Sequence, residues 1–150
     1  MVAVERIQEL FEALGPASDD VTSIARMGDR TWAIAFADEE IVTIDFVEEQ
    51  NKLVLGIDLG AAAENRRLAV YTAMLGFNYL WRETGGVKTA LGGEDLVLLF
   101  ELNAVGLTLE ELRNVLGNFM EKARVFRRFV VSEGGTDETT EGAFAAGMRV

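Results

Sequence analysis

The chain has 150 residues, a formal net charge of -11, and neither cysteine nor histidine. That length suits one domain able to bury about two thirds of its unfolded surface without metals or disulfides. The missing side chains exclude disulfides, thiolate zinc sites and cysteine nucleophiles, and remove the commonest general base. Strong acidity argues against nucleic acid and anionic membranes as partners. It either matches a basic partner or keeps an otherwise sticky surface soluble.

The start, MVAVERIQEL, carries acids within an amphipathic pattern rather than a basic segment followed by a signal-peptide core. No run approaches a membrane span, so a cytoplasmic location is expected. Val4, Ile7, Leu10, Phe11 and Leu14 recur by threes and fours, which predicts a short helix closed by Gly15 and the single proline, Pro16. After a turn at Ser18, Asp19 and Asp20, Val21 to Met27 is a strand candidate. Three strands then follow with period-two alternation: TWAIAFA, IVTIDFV and KLVLGIDLG. Their bulky residues share one face, while Ala33, Ala35, Thr43, Asp45, Val54, Gly56 and Asp58 share the other. The turns between them, ADEE and EEQN, are short and polar, so an antiparallel meander is the economical topology.

A second helix is expected from about Ala63 to Arg82, and it is apolar in nearly every direction: Leu68, Val70, Tyr71, Met74, Leu75, Phe77, Leu80 and Trp81. A helix lying on one core needs only a narrow apolar stripe. Gly76 in its interior costs around 1 kcal/mol against alanine, which suggests close approach of another backbone. Asn78 is expected to hydrogen-bond into the turn that follows. Gly85 and Gly86 break the helix, and Val87 to Leu91 and Leu96 to Leu102 read as a hairpin around Gly92, Gly93, Glu94 and Asp95. In the second of these strands Leu96, Leu98, Phe100 and Leu102 face one way and Val97 and Leu99 the other. The last helix opens with a capping box, Thr108 to Glu111, and carries Leu109, Leu112, Leu116, Phe119, Ala123, Phe126 and Val130 on one side. Residues 1–131 are thus expected to form one domain and 132–150, beginning SEGGTDETTEG, a flexible acidic and glycine-rich tail.

Chemistry is scarce. Gly85-Gly86-Val87-Lys88-Thr89 lacks the spacing of a phosphate-cradling loop and follows a helix instead of preceding one. The paired acids, such as Asp19 with Asp20 and Glu94 with Asp95, fall in turns where water keeps them ionised, and no run has the order of a calcium loop. Serine triads are excluded without histidine, although a Ser-Lys pair is not. No cofactor and no metal site is expected, and the chain does not read as an enzyme.

The segment LAVYTAMLGFNYLWRETGGVKTALGGEDLVLLFEL, followed by GLTLEELRNVLGNFMEKARVFRRFV, resembles the CesT-like (Tir chaperone) family of type III secretion chaperones. The shared features are an apolar helix ending near Asn78, a Gly-Gly and a Leu-Gly-Gly hairpin, an apolar strand and a long closing helix ending in aromatics. The resemblance implies an α+β fold of order α-β-β-β-α-β-β-α, an antiparallel sheet with helices packed on it. It also implies a homodimer that binds the N-terminal chaperone-binding segment of a secreted effector and catalyses nothing. The dimer interface would lie at Leu75, Tyr79, Val97 and Leu99. Effector contacts would lie on the first helix (Leu10, Phe11, Leu14) and the adjoining strands (Ala33, Ala35, Thr43, Val54). A YbjN-like regulatory or adaptor module of the same fold is the alternative reading.

Overall fold

The computed structural model describes residues 1–132. The expected tail therefore lies, but for Ser132, outside the described residues. Three helices and six strands follow in the order α1 (Val4–Ala17), β1 (Val21–Arg26), β2 (Thr31–Phe36), β3 (Ile41–Val47), β4 (Lys52–Gly60), α2 (Arg67–Tyr79), β5 (Lys88–Gly92), β6 (Asp95–Asn103) and α3 (Leu109–Val131). The strands form an antiparallel sheet of order β1-β2-β3-β4-β6-β5. The expected α+β architecture is present, with one strand more before α2 than the resemblance implies. That strand is β1. It is an edge strand in which only Val21 and Ile24 are even half-buried, so it lacks the alternation that marks a strand with one buried face.

The described residues divide into two compact units, Met1–Ile57 with Glu101–Gly117, and Asp58–Phe100 with residues 118–132. In the first unit, the spacing of α1 puts Ile7, Leu10, Phe11 and Leu14 on one stripe, and all four are buried. Phe11 packs on Trp32 with ring centroids 5.0 Å apart, and the Trp32 indole N–H donates to Gln8 Oε1 at 2.7 Å. A buried indole is thereby satisfied by the same helix that covers it. The alternate residues Trp32, Ile34, Phe36, Val42, Ile44, Phe46, Leu53, Leu55 and Ile57 form the sheet's side of this core. Register follows from the pairs Trp32 with Ile44 and Ile44 with Leu55, which align bulky residues across the strands. Helix α1 runs past its expected end at Leu14 to Ala17. Gly15, having no Cβ to clash with the proline ring, stays helical before Pro16, which falls in the last turn.

In the second unit, α2 is shorter than expected. A 3-10 turn over Glu64–Arg66 precedes it, and it ends at Tyr79, where Leu80 leaves helical geometry and the chain coils through Glu83 and Thr84, whose N–H groups bond back to the Leu80 carbonyl. Val70, Met74 and Phe77 of α2 are buried, and Phe77 meets Phe126 of α3 edge-on at 4.7 Å. Asn78 is the clasp. Its amide donates to the Thr89 carbonyl at 2.9 Å and accepts the Thr89 N–H at 2.8 Å, while the Thr89 hydroxyl donates to the Met74 carbonyl at 3.1 Å. The expected bond from Asn78 into the following segment thus holds α2 against β5. At the β5–β6 turn, Gly92 pairs with Asp95, and Gly93 takes φ 71°, a conformation natural to glycine.

The capping box forms as expected: Thr108 Oγ1 accepts the Glu111 N–H at 3.2 Å and Glu111 Oε2 accepts the Thr108 N–H at 3.3 Å. The other end of α3 is closed by a residue from a distant turn. Arg66 Nη1 donates to the carbonyls of Phe129 (2.8 Å), Val130 (3.3 Å) and Ser132 (2.9 Å), and its guanidinium sits 5.3 Å from the Phe129 ring. A cation placed there satisfies orphan carbonyls and complements the negative end of the helix dipole. Replacing Arg66 by alanine is expected to destabilise the protein by about 1.5–3 kcal/mol, the range for hydrogen bonds to a charged group. Urea unfolding gives the loss, and amide exchange should show it concentrated in the last turn of α3.

Candidate functional site

Period-two alternation that buries one side of β2, β3 and β4 leaves the other side lined by small residues. Ala33, Ala35 and Val54 are half-buried and Thr43 is exposed, and register brings them together: Ala33 pairs with Thr43, Ala35 with Ile41, Thr43 with Gly56, and Asp45 with Val54. The polar groups on this face are tied down. Thr31 Oγ1 donates to Asp45 Oδ1 at 2.7 Å and Thr43 Oγ1 to the Gly56 carbonyl at 3.3 Å. Ile41, 54% exposed, adds a large apolar side chain that sequence reasoning passed over, although it stands in the same alternate row as Thr43 and Asp45.

The expected sites on α1 require a correction. Leu10, Phe11 and Leu14 are 4%, 1% and 1% exposed, so they are core residues and present no free surface. The resemblance puts the partner on this helix, but their stripe is the one with which α1 covers its sheet, and outward α1 shows Glu5, Arg6, Glu9 and Glu12. Phe11 and Leu14 reach the surface only as floor atoms of two clefts. Phe11 belongs to a groove of about 340 Å³ between α1 and β1, with Gln8, Glu12, Gly15, Thr22 and Arg26 around it. Leu14 belongs to a wider cleft of about 820 Å³ further along.

A second apolar surface lies on α2. Leu68, Leu75 and Tyr79 are 83%, 70% and 84% exposed and recur at helical spacing, with Thr72 and Gly76 also exposed among them. A Cβ added at Gly76 would meet nothing within 4 Å. Leu80 and Trp81 continue the surface beyond the helix, with the Arg82 guanidinium 5.1 Å from the Trp81 ring. Of the four expected interface residues, Leu75 and Tyr79 share this face. Val97 and Leu99 are half-buried neighbours on one face of β6, paired with Ala90 and Lys88. The excess hydrophobicity of the segment was visible in the sequence. That Leu68 and Trp81 are among the residues left outside was not.

Among the described residues no group of three or more acids could hold a metal ion, and no helix is long and apolar enough to cross a membrane. The acidic pair closest to unusual chemistry is Asp58 with Asp95, at the end of β4 and the start of β6. The Asp95 carboxyl is held above its ordinary range by a hydrogen bond to Asp58, then by the charge of Asp58 and, further, by that of Glu94. Both acids are on the surface, so the pair describes local repulsion rather than a buried proton donor.

The model of the Tir chaperone protein (CesT) family matches residues 7–127. The chain belongs to this family. No curated protein matches it. Among solved structures it is similar to the ExsC–ExsE complex, with a TM-score of 0.69 at 20% identity over 87% of this chain and 97% of that one. It is also similar to the HopA1–SchA chaperone–effector complex, with a TM-score of 0.64 at 12% identity over 85% and 99% of the two chains. A third likeness is to the Yersinia pestis type III secretion chaperone SycH in complex with a fragment of YscM2, with a TM-score of 0.56 at 19% identity over 79% and 97%. At such identities these likenesses speak for the fold, and the family match carries the membership.

Asp95 supplies a pH-dependent prediction. The unfolded chain gives Asp95 its ordinary value, so while pH rises from there to the raised folded value the folded state holds the extra proton and stability falls. Asp95→Asn removes the repulsion without needing a proton. Its melting temperature is expected to exceed that of the parent at neutral pH and to converge on it below pH 4, measured by thermal unfolding across a pH series.

Proposed function

We propose that this protein is a homodimeric cytoplasmic chaperone of type III secretion that binds the N-terminal segment of a secreted effector. The observation that carries the reading is the family match over residues 7–127, on a chain whose α2 surface exposes Leu68, Leu75 and Tyr79 with no cover of its own. The similar complexes point the same way: one is described as a chaperone–effector complex and another as a type III secretion chaperone bound to a protein fragment. No residue of the proposed sites is needed as acid, base or nucleophile. The role is binding, and the protein acts as no enzyme.

The α2 surface has the character of a dimer seam. Apolar side chains this exposed favour burial by association, and a glycine among them allows a second backbone to come close. Val97 and Leu99 are assigned to the same seam. An interface of ordinary size would bury about 1,600 Å² in total, enough to cover the whole row. Effector contacts are assigned to the small-residue face of β2, β3 and β4, at Ala33, Ala35, Thr43 and Val54. A low, largely apolar surface of this kind accommodates an extended chain passing close to the sheet. Leu10, Phe11 and Leu14 support that surface from within the core.

Two outcomes test the reading. Leu75→Asp combined with Tyr79→Asp changes only exposed positions, so each chain should keep its fold. Light scattering should then move from twice the chain mass to the 16.5 kDa monomer, and a parent protein that is already monomeric would overturn the seam. Ala33→Glu with Thr43→Glu should leave the melting temperature within a few degrees of the parent and weaken capture of the secreted partner about tenfold or more, which corresponds to about 1.4 kcal/mol. Calorimetry with the co-purified partner segment reads the change.

A further inference from the structure

A cleft of about 820 Å³ opens in the first unit between the end of α1, the start of β1 and the first turns of α3. Its floor is apolar, with Leu14, Phe36 and Leu116 at 1%, 4% and 3% exposure, and Val21 and Leu109 half-buried on its walls. Its rim is charged. Asp19, Asp20 and Glu110 stand there against one cation, Arg113, and among the described residues none of these four is in an ion pair.

The α3 wall contains Gly117, inside a helix, where glycine costs about 1 kcal/mol against alanine. Packing within the chain gives no reason for it: Gly117 is exposed and a Cβ built there would meet nothing within 4 Å. Bare backbone at this point keeps the cleft open along α3 and lets an incoming chain lie close to the helix. The volume is that of a site for a few side chains.

We propose that this cleft docks a short basic and apolar segment of the bound partner, an apolar side chain resting over Leu14 and Phe36 beside Gly117 while flanking lysines or arginines meet Asp19, Asp20 and Glu110. The charge balance selects the occupant. An acidic segment would be repelled by three carboxylates, and a wholly apolar one would have to strip water from them without replacing it. The inference rests on the chaperone reading and deepens it, because it states what the partner must carry in addition to the residues that cross the sheet face.

The test uses the full chain, isotopically labelled, titrated with a short synthetic peptide of leucines flanked by lysines and with its glutamate counterpart. The lysine peptide should move the amide resonances of Ser18, Asn114 and Gly117, and the glutamate peptide should move none of them. Gly117→Leu should weaken the lysine peptide about tenfold, or about 1.4 kcal/mol, while holding or raising the melting temperature, since leucine favours a helix and a Cβ there meets nothing within 4 Å. Glu110→Lys should weaken it comparably, and Glu5→Gln, on the outward face of α1, should leave its affinity unchanged.

Equal binding of the glutamate peptide, no binding of the lysine peptide, or shifts that spare all three reporters would overturn the proposal. So would identical shifts from spermidine alone, which would make the occupant a small cation. The chaperone reading fails separately, if the unaltered protein captures no secreted partner. If it captures one and Gly117→Leu and Glu110→Lys keep full affinity for it, the cleft proposal falls and the chaperone reading stands.

Discussion

Strands β2, β3 and β4 place a bulky apolar side chain at every second position, and this one-sidedness is the constraint on which the structure turns. Trp32, Ile34, Phe36, Val42, Ile44, Phe46, Leu53, Leu55, Ile57 and Leu59 are all at most 4% exposed. Each is worth roughly 1.5–3 kcal/mol when fully buried, so a slip of one residue in register would expose the whole row and bury Ala, Thr, Gly and Asp in its place. The same alternation that secures the core therefore creates the opposite face. The proposed binding surface is the far side of the residues that hold the sheet together, and it needs no separate construction.

The helices answer this constraint in different ways. Helix α1 has a single apolar stripe and spends it wholly on covering the sheet, with Trp32 bonded back to Gln8. Helix α2 carries more apolar surface than its own unit covers: Val70, Met74 and Phe77 face inward, and Leu68, Leu75 and Tyr79 do not. Those inward residues and the bonds of Asn78 on both sides to Thr89 fix its position, so the outward residues are free of structural duty in the isolated chain. Two glycines stand in helix interiors with open space around them, Gly76 on that outward face and Gly117 on the wall of the acidic cleft. Both carry a propensity cost that packing within the chain does not require. At both, the opening faces a surface assigned to a partner.

Much of this was legible from residue order. The alternation of TWAIAFA, IVTIDFV and KLVLGIDLG predicts three paired strands with the bulky face inward, and the three strands, their register and their burial follow it. The capping box at Thr108 and the bond from Asn78 were readable because each is a local pattern. β1 was hard to read because an edge strand buries little and so shows little period. The end of α1 was misplaced because the rule that proline stops a helix gives way when the residue before it is glycine and the proline sits in the last turn. The resemblance places a partner surface on the first helix as an element, and an amphipathic stripe has the same spacing whether a helix offers it to a partner or lays it on its own sheet, so nothing in the spacing marks Leu10, Phe11 and Leu14 as core.

The sequence by itself determined the class of this protein: an acidic α+β chain without histidine or cysteine, an alternating sheet, a helix with surplus apolar residues and a resemblance to secretion chaperones. These are properties of composition and short-range period, and local backbone geometry imposes them wherever the chain goes. The tertiary structure alone decided which apolar residues are spent and which remain. It closed α3 with Arg66 across more than sixty residues of sequence. It also gathered Asp19, Asp20 and Glu110 around one apolar floor. Exposure and convergence depend on which distant segments meet, and no periodicity along the chain records that.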